Sequence, residues 1–132
     1  MRITVDTNIL VRAVVADDKK QAQAAARLLK EAELIAVTLP CLCEFVWVLR
    51  RVYQFGQDNI STALEALLSA DNVAVNRSAV DAGLSVLKAG GDFADGLIAY
   101  EGNWLGGGTF VSFDQRAVAL LSHQGKQAKL LK

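Results

Sequence analysis

Four acidic residues stand out in the 132-residue sequence because of their surroundings. Asp6 closes the apolar start ITVD, and Asp114 follows the run TFVSF. Asp95 lies within GGDFADGLIAY, and Glu44 interrupts CLCEFVWVL. Brought together, such groups repel. Two carboxylates about 5 Å apart cost roughly 3 kcal/mol at an effective dielectric near 20. A divalent cation reverses the sign. An all-oxygen set without His or Cys selects hard ions, Mg²⁺ or Mn²⁺, over zinc. Such ions activate water and neutralise charge on a phosphoryl group.

Each acid also has a plainer reading. Asp6 and Asp114 suit helix N-caps, worth about 1 kcal/mol each. Asp92 suits the cap of its own helix, with Asp95 at the third position, where an acid complements the helix dipole. Glu44 is harder to dismiss, because Phe45, Val46, Trp47 and Val48 follow it and charges are rarely buried unpaired. Arg51 lies seven residues on and shares its helical face, which would keep that face wet.

The elements that must carry these acids alternate along the chain. Short β-branched runs at 2–5, 35–38, 72–75 and 109–112 read as strands buried on both faces. Apolar periodicity predicts helices over 19–32, 40–53, 57–69, 78–89, 93–104 and 115–123. Pro40 suits the first turn of its helix, and Ser78 with Asp81 forms an S-x-x-D capping signal. Strands separated by helices imply βα units: an α/β fold with a mostly parallel sheet and helices on both faces. In such sheets ligands bind beyond the carboxyl ends of the strands, where Asp6 and Asp114 fall. Gly106, Gly107 and Gly108 lack the following Lys-Ser/Thr of a phosphate-binding loop. No repeat or linker divides the chain, so residues 1–132 are expected to form a single domain.

Composition narrows the class. Hydrophobic residues make up 52%, and one proline occurs, which excludes a disordered tail or a fibrous repeat. Fourteen basic residues balance fourteen acidic ones, so no net positive field attracts nucleic acid nonspecifically. The stretch around 34–49 is broken by Pro40 and Glu44 and is too short to span a membrane. Asp6 interrupts any secretory signal. Cys41 and Cys43 sit too close in sequence to pair on a helix and read as small core side chains. His123, the one histidine, reads as a surface residue. A reduced, cytoplasmic protein is the expectation. Trp47, Tyr53, Phe55 and Trp104 are assigned to core or dimer contact.

Together the motifs VDTNIL, the Glu44 helix, DFADGLIAY and TFVSFDQRAVALL resemble those of PIN-domain ribonucleases. The similarity is to the VapC-type toxins of bacterial toxin–antitoxin pairs. It covers nearly the whole chain, in order and at family spacing. The resemblance implies a PIN-like three-layer α/β/α sandwich. By it, Asp6, Glu44, Asp95 and Asp114 match the acidic positions that hold Mg²⁺ or Mn²⁺. Thr7 or Asn8, and Ser112, would orient those carboxylates, while Asp92 is an extra acid that either caps its helix, the favoured reading, or joins the residues that support the metal-binding carboxylates. The implied reaction hydrolyses an RNA phosphodiester: water attacks phosphorus in line and leaves a 3′-hydroxyl and a 5′-phosphate. The substrate would be a structured RNA such as tRNA or ribosomal RNA. The resemblance further implies a homodimer, silenced by a cognate antitoxin laid over the active site. Arg116, Arg12, Arg50 and Arg51 are candidate phosphate contacts, with Arg116 foremost because it follows Asp114 by two residues.

Other classes fit less well. A haloacid-dehalogenase-like phosphatase needs a second aspartate two residues after the first, where Asn8 stands. A receiver domain needs paired acids at the first strand and a lysine near the last, and neither is found. An RNA-processing nuclease outside any toxin–antitoxin pair, and a non-catalytic PIN-like binding module, remain as alternatives. Loss of an acid would mark the binding module, and all four positions are filled.

Overall fold

The computed structural model describes residues 1–132 and resolves into two compact units, Met1–Asn76 and Arg77–Lys132. The first unit contains β1 (Arg2–Thr4), α1 (Thr7–Val14), α2 (Lys19–Glu31), β2 (Leu34–Ala36), α3 (Leu39–Arg51), α4 (Gln57–Ser69) and β3 (Val73–Ala74). Its three strands lie in the order β1-β2-β3, all parallel, with Ile3 opposite Ile35 and Ile35 opposite Val73. The second unit contains α5 (Arg77–Lys88), α6 (Phe93–Trp104), β4 (Phe110–Ser112), α7 (Gln115–His123) and β5 (Ala128–Leu130). Here β4 and β5 pair in parallel, with Phe110 opposite Ala128. The α/β class and the parallel pairing agree with the alternation of runs in the sequence. No helix is long and apolar enough to cross a membrane.

Side-chain chemistry sets the helix starts. Asp6, Asp18, Thr38, Asp92 and Asp114 each cap a helix, and Pro40 sits in the first turn of α3, where its missing N–H costs nothing. Helix α5 starts at Arg77, one residue ahead of Ser78, so Ser78 lies inside the first turn and is not the cap. In the first unit Leu10, Ile35, Leu42, Phe45, Leu49, Ile60 and Leu64 are buried. Each large apolar side chain so removed from water contributes about 1.5–3 kcal/mol. In the second unit Val80, Leu87, Phe93 and Leu121 are buried.

Two glycines fix how closely α5 and α6 approach. A Cβ on Gly96 would lie 2.6 Å from the carbonyl oxygen of Ala82, and one on Gly83 would meet the ring of Phe93. Only hydrogen fits at either position. The close approach holds the N-terminal turn of α6 against its neighbour.

Several expectations need correction. α1 and β5 were not among the elements read from the sequence. β5 spans three residues, AKL, and its central Lys129 is exposed, so it carries no buried run to detect. Burial on both strand faces holds for β2, around Ile35, but fails for β1, β3 and β4, where Thr4, Ala74 and Val111 are exposed. Trp47 and Trp104 are not core residues: they are 58% and 75% exposed, each on the outward side of its helix.

Candidate active site

Each unit carries its own pair of the expected acids. In the first, β1 runs directly into Asp6, whose extended backbone caps α1, with Oδ1 accepting from the Ile9 amide at 3.3 Å. One oxygen caps, and Oδ2 remains available to another partner. The next residue, Thr7, is buried, and its hydroxyl donates to Cys41 Sγ at 3.9 Å. The expected role for Thr7, holding a carboxylate, is therefore not what its hydroxyl does here. Asn8 is exposed on the first turn of α1.

Glu44 stands in the second turn of α3 and is exposed. Its neighbours in sequence mislead, because Phe45, Val46 and Leu49 turn inward while Glu44, Trp47 and Arg51 share the outer face. Arg50 is exposed as well. Asp6 and Glu44 both act on Cys41. Burial, foremost, pushes the Cys41 thiol up; the Thr7 hydrogen bond opposes this, and the two carboxylates add to it. The first unit thus places two acids within electrostatic reach of one buried thiol.

Arg12 is more engaged than a free phosphate contact would be. Its Nε donates to Gln21 Oε1 at 2.7 Å, and Nη1 donates to Asp17 Oδ1 at 3.1 Å and to Tyr53 Oη at 3.4 Å. The Tyr53 hydroxyl itself donates to Asp17 Oδ2 at 3.1 Å. The Tyr53 bond, foremost, holds the guanidinium in its charged form, although burial works against it. Nothing in the sequence signals this cluster, because its members are 9 and 41 residues apart and no local motif joins them.

In the second unit Asp92 caps α6, its Oδ1 accepting from the Ala94 amide at 3.0 Å, which supports the capping reading of this residue. Asp95 lies in the first turn of the same helix, half-buried. Asp114 caps α7, with Oδ1 accepting from the Arg116 and Ala117 amides at 3.0 and 3.2 Å and Oδ2 left over. The Asp114 amide in turn donates to Ser112 Oγ at 2.9 Å. Ser112 therefore orients Asp114 through its backbone. Arg116 is exposed, and its Nη2 donates to the carbonyl of Gly90, in the loop that leads to Asp92.

The electrostatics follow from this packing. Asp95 is pushed above the usual carboxylate range, first by burial, then by the charge of Asp92, then by that of Asp114. The charges of Asp92 and Asp114 thus both act on Asp95. In neither unit do three His, Cys, Asp or Glu side chains gather closely enough to enclose an ion. Asp6 and Asp114 nevertheless each keep one oxygen clear of the cap. Capping and metal binding are therefore compatible at the same side chain. The donors are all carboxylates, which fits a hard divalent cation.

The exposed ring of Phe113, directly before Asp114, was not singled out in the sequence and has no local signal beyond that position. A family model for the PIN domain matches residues 3–119, running through both units. No curated protein matches the chain.

Proposed function

The chain belongs to the PIN-domain nuclease family, and from that premise we propose that it is a divalent-metal-dependent endoribonuclease acting as the toxin of a toxin–antitoxin pair. The observation that carries this reading is geometric: backbone amides hold one oxygen each of Asp6 and Asp114 and leave the other outside the cap, while Asp95 sits half-buried beside the charges of Asp92 and Asp114. Such crowding is unfavourable for a protein alone and favourable around a cation.

In this account residues 1–132 act as one nuclease domain. Asp6, Glu44, Asp95 and Asp114 are the residues that would hold Mg²⁺ or Mn²⁺, and the capping bonds of Asp6 and Asp114 leave Oδ2 of each free for that role. When bound, such an ion would supply an activated water and neutralise charge on a phosphoryl group. Oδ1 of Asp6 and Asp114 stays fixed by backbone amides, so the spare oxygens are aimed before substrate arrives. Ser112 keeps the Asp114 turn in place. Arg116, with Arg50 and Arg51 on the exposed end of α3, provides positive charge for the RNA backbone. Arg12 acts from within its Asp17 and Tyr53 network.

Two assays test this. Purified protein, freed of any bound partner, should cut single-stranded RNA in Mn²⁺ to products with 5′-phosphate and 3′-hydroxyl ends. Products ending in cyclic phosphate would contradict the metal mechanism. Expression without a partner should arrest growth, and Glu44→Gln at equal protein level should relieve the arrest. Harmless expression of wild type that is active in vitro would remove the toxin role and leave an RNA-processing nuclease.

A further inference from the structure

The first unit holds a groove with a cavity volume of about 650 Å³, lined by Asp6, Asn8, Ile9 and Arg12 of α1 and by Gln21, Ala24, Ala25 and Leu28 of α2. That volume lies within the usual range for small-ligand sites, which combine an apolar floor with a few oriented polar groups. Ile9, Ala25 and Leu28 provide the floor. The polar groups are oriented by the Arg12 cluster.

A guanidinium has only donors. Because Arg12 Nε donates to Gln21 at 2.7 Å, the oxygen of that amide must face Arg12. The Gln21 amide nitrogen is thereby turned away with both of its hydrogens to give. Asp17 and Tyr53 take Nη1 of Arg12, which leaves Nη2 outside these bonds. The polar wall of the groove thus offers donors from two lining residues, Gln21 Nε2 and Arg12 Nη2, with the matching acceptor already used internally. A planar ligand with two adjacent acceptors on one edge would satisfy both. Guanine has that edge, in O6 and N7; adenine replaces one acceptor with a donor.

Position along α1 relates this groove to the acids. Arg12 lies six residues after Asp6, about 9 Å along the helix axis. That is comparable to the span from a nucleotide's phosphate to the far edge of its base. We propose that the α1–α2 groove is a guanine-selective subsite, in which Gln21 and Arg12 read the base of an RNA nucleotide whose phosphate lies toward Asp6. This rests on the ribonuclease reading and adds the base that the enzyme prefers beside the cut. An unstacked base held in such a pocket is the usual way single-stranded RNA is read.

The test uses the whole chain in Mg²⁺ buffer, titrated with 5′-GMP or 5′-AMP and followed by NMR at the Gln21 side-chain amide and the Ala24 methyl. GMP should saturate these signals at about tenfold lower concentration than AMP, the factor expected for one net hydrogen bond. Gln21→Glu keeps the partner for Arg12 but removes the donor, and should abolish the preference. Ala24→Phe fills the groove and should weaken both nucleotides. Equal curves for GMP and AMP, or GMP shifts that survive Ala24→Phe, would overturn the subsite. If RNA is cleaved while neither nucleotide perturbs the groove, the subsite fails and the ribonuclease stands. If the nucleotides titrate the groove as expected while no RNA is cleaved, the ribonuclease reading fails and the subsite stands.

Discussion

Replacing Asp95 with Asn separates the two forces acting on this residue. In the first turn of α6 its charge favours the helix dipole by about 0.3–1 kcal/mol. Against this stand partial burial and the charges of Asp92 and Asp114. Partial burial and two screened like-charge neighbours near a surface cost roughly 1–2 kcal/mol together. The upward direction of the Asp95 pKa shows that the unfavourable side wins. Asn keeps the shape and removes the charge, so the metal-free variant should gain on the order of 1 kcal/mol. For a chain of this length that raises the melting point by about 3–4 °C. The pH dependence fixes the sign. A carboxyl whose folded pKa is raised binds its proton more readily in the folded state. Its stabilising share is full below the ordinary aspartate range and is lost as pH rises through the raised value. The gain from Asp95→Asn should therefore be present in EDTA at pH 7 and fade on acidification toward pH 4. Mg²⁺ should reverse the order, because a ligand at 100 times its Kd stabilises the binding form by about 2.7 kcal/mol. The assay is a set of thermal melts of both proteins in EDTA and in Mg²⁺ at each pH. An EDTA melting point for Asp95→Asn equal to or below that of wild type, with no pH dependence, would refute the reasoning.

Gly96→Ala forces a Cβ to 2.6 Å from the Ala82 carbonyl, and should cost about 2–4 kcal/mol in a denaturant titration. Gly102→Ala meets nothing within 4 Å in the same helix and should gain about 0.5–1 kcal/mol; equal effects would contradict the close packing of α5 on α6. The buried Cys41 thiol, raised by burial and by Asp6 and Glu44, should alkylate about tenfold or more slowly in folded than in unfolded protein near pH 8. Site-resolved mass spectrometry reads this, and a fast folded-state reaction at Cys41 would contradict it.

The capping part of the candidate site was legible because an acid at the end of a strand is placed to cap the helix that follows. Asp6 and Asp114 were read both as caps and as ligands, and the structure shows the capping bonds on one oxygen of each. The helices α2, α3, α4, α6 and α7 follow from their periodicity and caps, to within two residues at each end. What was hidden is what depends on partners far along the chain. β5 exists through pairing with β4, and its three residues carry no pattern of their own. The Arg12, Asp17, Gln21 and Tyr53 cluster spans three segments that only the fold joins. Glu44 looked buried because sequence neighbours do not share a helix face, and α3 turns it outward. Trp47 and Trp104 were assigned to core or dimer contact, and their exposure removes the core half of that reading, since a large amphipathic ring is a poor guide to burial.

The proposal tested most directly is that Asp6, Glu44, Asp95 and Asp114 are each needed for a metal-dependent cut in RNA. The direct measurement is the initial rate of cleavage of a labelled single-stranded RNA by wild type, Asp6→Asn and Asp95→Asn, in Mg²⁺ and in excess EDTA. Asp6 belongs to the first unit and Asp95 to the second. Both variants should remain folded, since Asn caps α1 as well as Asp does. Each should lose about a hundredfold or more in rate, as expected when an electrostatic contact made in the transition state is removed. EDTA should abolish the wild-type rate. Full activity in EDTA, or full activity in either variant, would contradict the account.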